Sequence, residues 1–175
     1  MPRCKICKES YERTLPMQTT CTWEHALQYA KAQREKQERK ELREAKRRIK
    51  TRAEWLKEAQ AAFNAWVRER DYGLPCISCG RFHQGQMHAG HYRSVGAHPE
   101  LRFEPANVHK QCAPCNTHLS GNAIEYRIAL LKRIGFELVA WLEGPHDPKH
   151  YTIDDLIEIR QKYTRKRREL EKERL

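Results

Sequence analysis

The chain has 175 residues, room for one ordinary domain or a small domain with attachments, which excludes a second large domain. Thirty-four Lys and Arg against 23 Asp and Glu leave a net charge of +11, and such an excess points to a polyanionic partner. No run reaches the roughly 18 apolar residues that a membrane span needs, and the opening Met1-Pro2-Arg3-Cys4-Lys5 carries no apolar export segment, so a soluble cytoplasmic protein with no membrane partner is expected.

Only 39% of the residues are hydrophobic, so the core must be small and in need of a staple. Seven cysteines without an export signal fit metal ligation better than disulfides. They fall in two groups separated by 54 residues, which suggests two metal units. The first segment, 1–25, holds Cys4, Cys7 and Cys21, and with His25 these could form a Cys₃His zinc site. His25 could equally be a solvent-facing residue, and Cys4 and Cys7 could be oxidised to each other.

Residues 26–70 contain no Gly or Pro and are rich in helix formers, which predicts one long helix. From Lys31 to Arg52 it carries eleven Lys and Arg and four Glu, with little to bury. Its second half places Trp55, Ala59, Ala62, Phe63, Trp66 and Val67 on one apolar face, where it should dock. Gly73 and Pro75 end it. The segment 71–145 then opens with short strands and loops up to Cys115. A helix follows from about Ile124 to Gly135, and another spans Phe136 to Leu142. In 146–175, Thr152 and Asp155 have N-cap spacing before a last, highly charged helix. The whole reads as an α+β chain.

Cys76-Ile77-Ser78-Cys79 and Cys112-Ala113-Pro114-Cys115 form a CxxC pair of pairs with 32 residues between them. Four thiolates so spaced can close a tetrahedron around Zn²⁺. Four Cys leave no open position, so this zinc would be structural rather than catalytic. Four unligated thiols are the alternative, although nothing else would demand the repeated spacing.

Between those pairs lie His88-Ala89-Gly90-His91-Tyr92 and Asn107-Val108-His109-Lys110-Gln111, and Asn116 follows the last Cys directly. The order Cys pair, His, Asn, Cys pair, Asn resembles the HNH, or ββα-metal (His-Me finger), nuclease signature, and Asn116 after the last zinc Cys is similar to junction-resolving members of that class. Leu101-Arg102-Phe103, Ser120-Gly121-Asn122, the cysteine-bearing N-terminus and the basic helix extend the likeness to nearly the whole chain, which resembles the lambdoid phage NinG (Rap) recombination family. The resemblance implies a zinc-stapled ββα-metal core with flanking helices and a long basic N-terminal helix. It also implies a phage- or prophage-encoded endonuclease that cuts branched double-stranded DNA, such as Holliday junctions and D-loops, in the bacterial cytoplasm.

Cutting a phosphodiester needs an activated water, a cation on the developing charge and stabilisation of the leaving oxygen. His91 can be the general base if its other ring nitrogen is held by an Asn side chain or a backbone carbonyl. Asn107 would shape the hairpin, and Asn116 would place a carbonyl oxygen on Mg²⁺ or Mn²⁺. Gly90 stands where many HNH proteins carry an acidic ligand. His88, three residues before the base, is the nearest substitute, and as a softer ligand it would favour Mn²⁺, Co²⁺ or Ni²⁺ or leave the Mg²⁺ site impaired. His88 could also be a solvated strand residue. His118 is a weaker candidate ligand, and His109 and His83 read as surface or DNA-facing residues.

Arg43, Lys46, Arg47, Arg48, Lys50 and Arg52 on the basic helix are candidate phosphate contacts, as are Arg93, Arg102 and Lys110 near the site and Arg165, Lys166, Arg167 and Arg168 near the end. A solvated helix laced with i, i+4 pairs such as Glu35 with Arg39 and Glu44 with Arg48 is the alternative for the first group. No base-reading motif is evident, so DNA shape is the expected feature recognised. A homodimer is possible. Two rival functions remain: a non-catalytic zinc-binding nucleic-acid module, and a sequence-specific HNH nuclease of the homing or restriction type.

Overall fold

A computed structural model describes residues 1–174, and the side chains of Arg48 and Ile49 lie outside the described residues, so the candidate phosphate contact at Arg48 does too. The chain divides into two compact units, the first Met1–Lys50 and the second beginning at Thr51.

In the first unit a short cysteine-bearing loop leads into α1 (Trp23–Ile49). Thr22 caps α1 by accepting the His25 N–H at 3.3 Å, which satisfies one of the unpaired donors of the first turn. Most of the helix is exposed.

The single helix expected over 26–70 is instead two. Lys50 turns extended, and Thr51 restarts the chain as the N-cap of α2 (Arg52–Arg70). The cause is a reciprocal capping box: Thr51 Oγ1 accepts the Glu54 N–H, and Glu54 Oε2 accepts the Thr51 N–H at 2.8 Å. Thr51-x-x-Glu54 supplies a strong helix start inside a run that lacks any Gly or Pro.

The second unit is built on the apolar face of α2. Trp55, Ala59, Phe63, Trp66 and Val67 are buried, mainly against Leu156, Ile157 and Tyr163 of α5 (Ile153–Glu173). The Phe63 ring meets Tyr163 edge-on at 4.7 Å and Phe103 at 5.6 Å. Such side chains each contribute roughly 1.5–3 kcal/mol when fully buried, which anchors α2 where its charged half of the sequence could not. α5 begins with the Thr152–Asp155 capping box that its sequence spacing predicts.

Two strands, β1 (Met87–His91) and β2 (Val108–Cys112), pair antiparallel with His91 opposite Val108 and Met87 opposite Cys112. A single π-helical turn, Pro114–His118, follows β2, and then come α3 (Ala123–Ile134) and α4 (Phe136–Glu143). Gly135 joins these two helices at φ 84°, a left-handed conformation that suits glycine. Their buried residues Tyr126, Leu130, Val139 and Leu142 form a second core with Ile77 and Leu101.

Buried Asp71 ties the hairpin to α2. Its carboxylate accepts from Arg70 at 2.8 and 3.0 Å and from the Lys110 N–H at 2.9 Å. These donors hold it ionised below the usual carboxylate range although burial opposes that.

Candidate metal sites and polar cleft

The two cysteine groups close up as their spacing predicts. Cys76, Cys79, Cys112 and Cys115 bring their sulfurs within 4.8 Å of one another, and so do the ligand atoms of Cys4, Cys7, Cys21 and His25. Cys7 and Cys21 stand 3.6 Å apart, and Cys79 and Cys112 3.9 Å. Tetrahedral Zn–S bonds of 2.3 Å require sulfurs about 3.8 Å apart, so both sets fit zinc. His25 turns Nδ1 to Cys21 at 3.1 Å and Cys4 at 3.7 Å, as a fourth ligand would. The Cys112 N–H donates to Cys76 Sγ at 3.3 Å. Burial opposes ionisation of Cys76, but this and neighbouring backbone donors bring its thiol below the usual range, whereas burial pushes Cys112 up to about 12 and raises Cys115, so the first negative charge of the set settles on Cys76. His83 Nε2 also lies 3.2 Å from Cys79 Sγ, on the exposed outer side of this group.

At the end of β1, His91 donates from Nε2 to the Arg102 carbonyl at 3.0 Å. That bond fixes the ring and selects the tautomer with a lone pair on Nδ1. Burial holds the imidazole below its ordinary pKa, so it is neutral at neutral pH. Arg102 is itself steadied by a bond from its guanidinium to Gln60 Oε1 at 3.1 Å.

Asn107 is fully buried in the loop between the strands. Its Oδ1 accepts the Arg93 N–H at 2.7 Å, and its Nδ2 donates to the carbonyls of Arg93 and Leu101 at 3.0 and 3.2 Å. Its own carbonyl accepts the Tyr92 N–H at 2.8 Å. The loop that follows His91 therefore closes around this one side chain.

His88 and Asn116, 28 residues apart in sequence, meet where the π-helical turn passes β1: Asn116 Nδ2 donates to His88 Nδ1 at 3.1 Å. The opposite ring nitrogen of His88, Nε2, is buried without a hydrogen-bond partner among the described residues. Both residues line a polar cleft with Asn64, Arg68, Gln86, Met87 and Ala89. His91 does not line it. Alternation along β1 sends the His88 and His91 side chains to opposite faces of an edge strand, about 10 Å apart at the backbone.

Gly90 has no room for a side chain. A Cβ there would stand 2.1 Å from Gln111 Oε1 and 3.0 Å from Gln111 Cβ, and Gln111 is held in place by bonds from Nε2 to Ser78 and to the Gly121 carbonyl, both at 2.6 Å. An acidic ligand directly before His91 is thus excluded by packing.

The other expected positions differ in exposure and partners. Lys110 is buried and donates from Nζ to the Tyr72 carbonyl at 2.8 Å, so it braces the fold instead of facing phosphate. His109 is also buried, against the Tyr126 hydroxyl at 3.3 Å, and desolvation brings it down to about 3, so it is not a surface residue. Arg52 is turned to the Tyr151 carbonyl at 2.7 Å and Arg93 to His98 at 2.6 Å. Arg165 and Arg167 pair with Glu169 and Glu171, and Lys166 lies 5.6 Å over the Trp66 ring. Arg43, Lys46, Arg47 and Arg168 stay exposed, as does His118, which is not gathered into the cleft.

Two further cleft residues, Asn64 and Arg68, and their neighbour Gln60 come from α2. Gln60, Asn64 and Arg68 recur every four residues beside the apolar face of α2, and Gln60 donates to Asn64 at 2.7 Å. That polar stripe, which runs from the Arg102 contact to the cleft, is their signal in the sequence.

Fold and site together define a mixed α and β protein, with a two-stranded sheet and two four-ligand clusters suited to zinc. Over residues 1–173 the sequence matches the family model described as Bacteriophage Lambda NinG protein. It is 41% identical over 190 residues to Protein ninG of Escherichia phage 933W, and 42% identical over 192 residues to Protein ninG of Escherichia phage lambda, each alignment covering 98% of this chain and 94% of the relative. Protein ninG of Salmonella phage P22 is 41% identical over 188 residues, covering 96% and 93%. The chain belongs to the NinG family. No solved structure matches it. Among the described residues no helix is long and apolar enough to cross a membrane.

Proposed function

We propose that this chain is a structure-specific, metal-dependent DNA endonuclease of HNH (ββα-metal) type, acting on branched recombination intermediates such as Holliday junctions and D-loops in the bacterial cytoplasm. The observation that carries this reading is the meeting of His88 with Asn116 beside the cysteine cluster, at one end of the strand that ends in His91. A divalent cation there would be held by the His88 ring and by the Asn116 carboxamide, turned to offer its oxygen.

A divalent cation held there would stabilise charge on the leaving 3′ oxygen. The protein's own residues do the rest. His91 Nδ1, left unprotonated by the Arg102 bond, takes a proton from water as that water attacks phosphorus. His91 and the cation ligands lie on opposite faces of β1, about 10 Å apart at the backbone, so bringing both to one phosphate requires the edge strand to turn on DNA binding. Asn107 keeps the loop after His91 in register, and Arg68 offers a cation to a bound phosphate. The exposed Arg43, Lys46 and Arg47 supply sequence-independent phosphate contacts, and the zinc clusters act as scaffold.

One observation favours a second reading, a non-catalytic zinc-binding nucleic-acid module. The described residues lining the cleft include no carboxylate, so a cation there would have only neutral ligands from the protein. Incubation with four-way junctions and with linear duplex, in Mg²⁺ and in Mn²⁺, separates the two. Cleavage of junctions that is lost in His91→Ala supports the nuclease. Binding without cleavage in either metal supports the module, and a single cut in linear duplex would instead indicate a sequence-specific HNH nuclease.

A further inference from the structure

The cleft of His88 and Asn116 adjoins a second groove, and Arg68 and Met87 line both. The second groove is bordered by Tyr72 and by Phe82, which are 64% and 75% exposed, and by Lys110, Glu69 and Glu171, the two carboxylates being neutralised by Arg174 and Arg167. Large aromatic rings so exposed lose hydrophobic stabilisation unless something covers them. One face of Tyr72 is covered by the Arg174 guanidinium, 4.2 Å from the ring centroid. Among the described residues the Phe82 ring meets no other ring or cation, and Arg68 forms no ion pair. Phe82 sits on the loop just after the candidate zinc ligand Cys79, so zinc binding would hold its backbone while its ring stays open. An open aromatic ring, a guanidinium without an ion pair among the described residues and a lining shared with the polar cleft together suit a nucleotide, with its base on the ring and its phosphate at the cation.

We propose that the groove between Tyr72 and Phe82, entered past Arg68, receives one unstacked base of a DNA strand whose neighbouring phosphate lies in the His88 and Asn116 cleft. The proposal rests on the nuclease reading and adds to it a physical basis for branch preference. In linear duplex every base is stacked, whereas at a branch point a base leaves its stack at lower cost. Phe82 is then the residue that takes it.

The test is photocrosslinking of the full-length protein to a four-way junction carrying 5-iodouracil at the branch point, with the same base in linear duplex as control. Adducts are mapped by mass spectrometry, and junction affinity is measured by fluorescence anisotropy. The junction is expected to give an adduct on Phe82 and the duplex to give none there. Phe82→Ala should lose the adduct and bind the junction about tenfold more weakly, the loss typical of one base–aromatic stack, while Phe82→Trp keeps both. Unchanged circular dichroism of the two variants excludes a folding effect. Adducts that map elsewhere, or equal yields from duplex, with Phe82→Ala binding like the wild type, overturn the proposal while leaving the nuclease reading intact if junctions are still cut. A chain that binds no DNA at all would overturn both.

Discussion

Asn107 and Arg93 are locked to each other by two hydrogen bonds. The Asn107 carboxamide accepts the Arg93 N–H at 2.7 Å and donates to the Arg93 carbonyl at 3.0 Å, so one buried side chain imitates a strand partner just beyond His91. Both ends of the amide are used, and its second donor reaches the Leu101 carbonyl.

Asn107→Ala would leave these three backbone groups unpaired in a buried loop, at about 1–3 kcal/mol for an unsatisfied buried group. A loss of roughly 2–4 kcal/mol is expected in chemical denaturation of the zinc-loaded protein. Asn107→Asp, which cannot donate when ionised, should be no better. Wild-type stability in either variant would show that the loop is held by something else.

Zinc content should be two per chain. Cys112→Ser is expected to retain one equivalent and to lose the structure of the second unit, because metal binding and folding are linked in small stapled domains. Cys21→Ser should lose the other equivalent while the second unit keeps its cooperative melt, since its core has its own helices. Elemental analysis with circular dichroism reads both, and an unaltered melt in metal-free protein would contradict the structural role.

His109 gives the pH dependence a definite sign. Its folded pKa is brought down to about 3 by desolvation, from an ordinary value near 6.5. Between those limits the unfolded chain binds a proton that the folded chain refuses, so stability is complete above about 6.5 and is lost as pH falls toward 3, at up to about 1.4 kcal/mol per pH unit. His109→Phe keeps a ring against Tyr126 and removes the titration. Its stability should fall less steeply than the wild type's over the same range, and parallel curves would refute the assignment. The comparison between variants cancels the acid release of zinc that both share.

Much of this arrangement was legible in the sequence, for reasons that are local. The Thr152 and Asp155 cap, the two CxxC pairs, Gly135 between two helices and the apolar face of α2 each follow from spacing alone. The break at Thr51 was equally local, yet the absence of Gly and Pro masked a capping box that needs neither. The burial of Lys110 and His109 is not legible locally, because exposure depends on partners distant in sequence. Asp71 accepts from the Lys110 backbone, and Tyr72 and Tyr126 accept or meet the two side chains. The meeting of His88 with Asn116 also depends on the π-helical turn after β2, and no periodicity in the sequence announces that turn.

His88 sets the expected metal preference. With neutral imidazole and carboxamide as its ligands, the cleft should bind Mg²⁺ weakly, and cleavage should be faster in Mn²⁺ than in Mg²⁺. His88→Asp supplies a hard anionic oxygen and should raise Mg²⁺-supported cleavage. If His88→Asp and His88→Ala both cleave like the wild type in Mg²⁺, His88 is not a ligand.

The central claim is that His91 activates water at a phosphodiester held in branched DNA. Single-turnover cleavage of a four-way junction by His91→Ala, with junction affinity measured alongside, tests it most directly. Cleavage should fall by about 10²–10⁴-fold, as for loss of a general base, with affinity close to that of the wild type. Cleavage at the wild-type rate by His91→Ala would contradict the account.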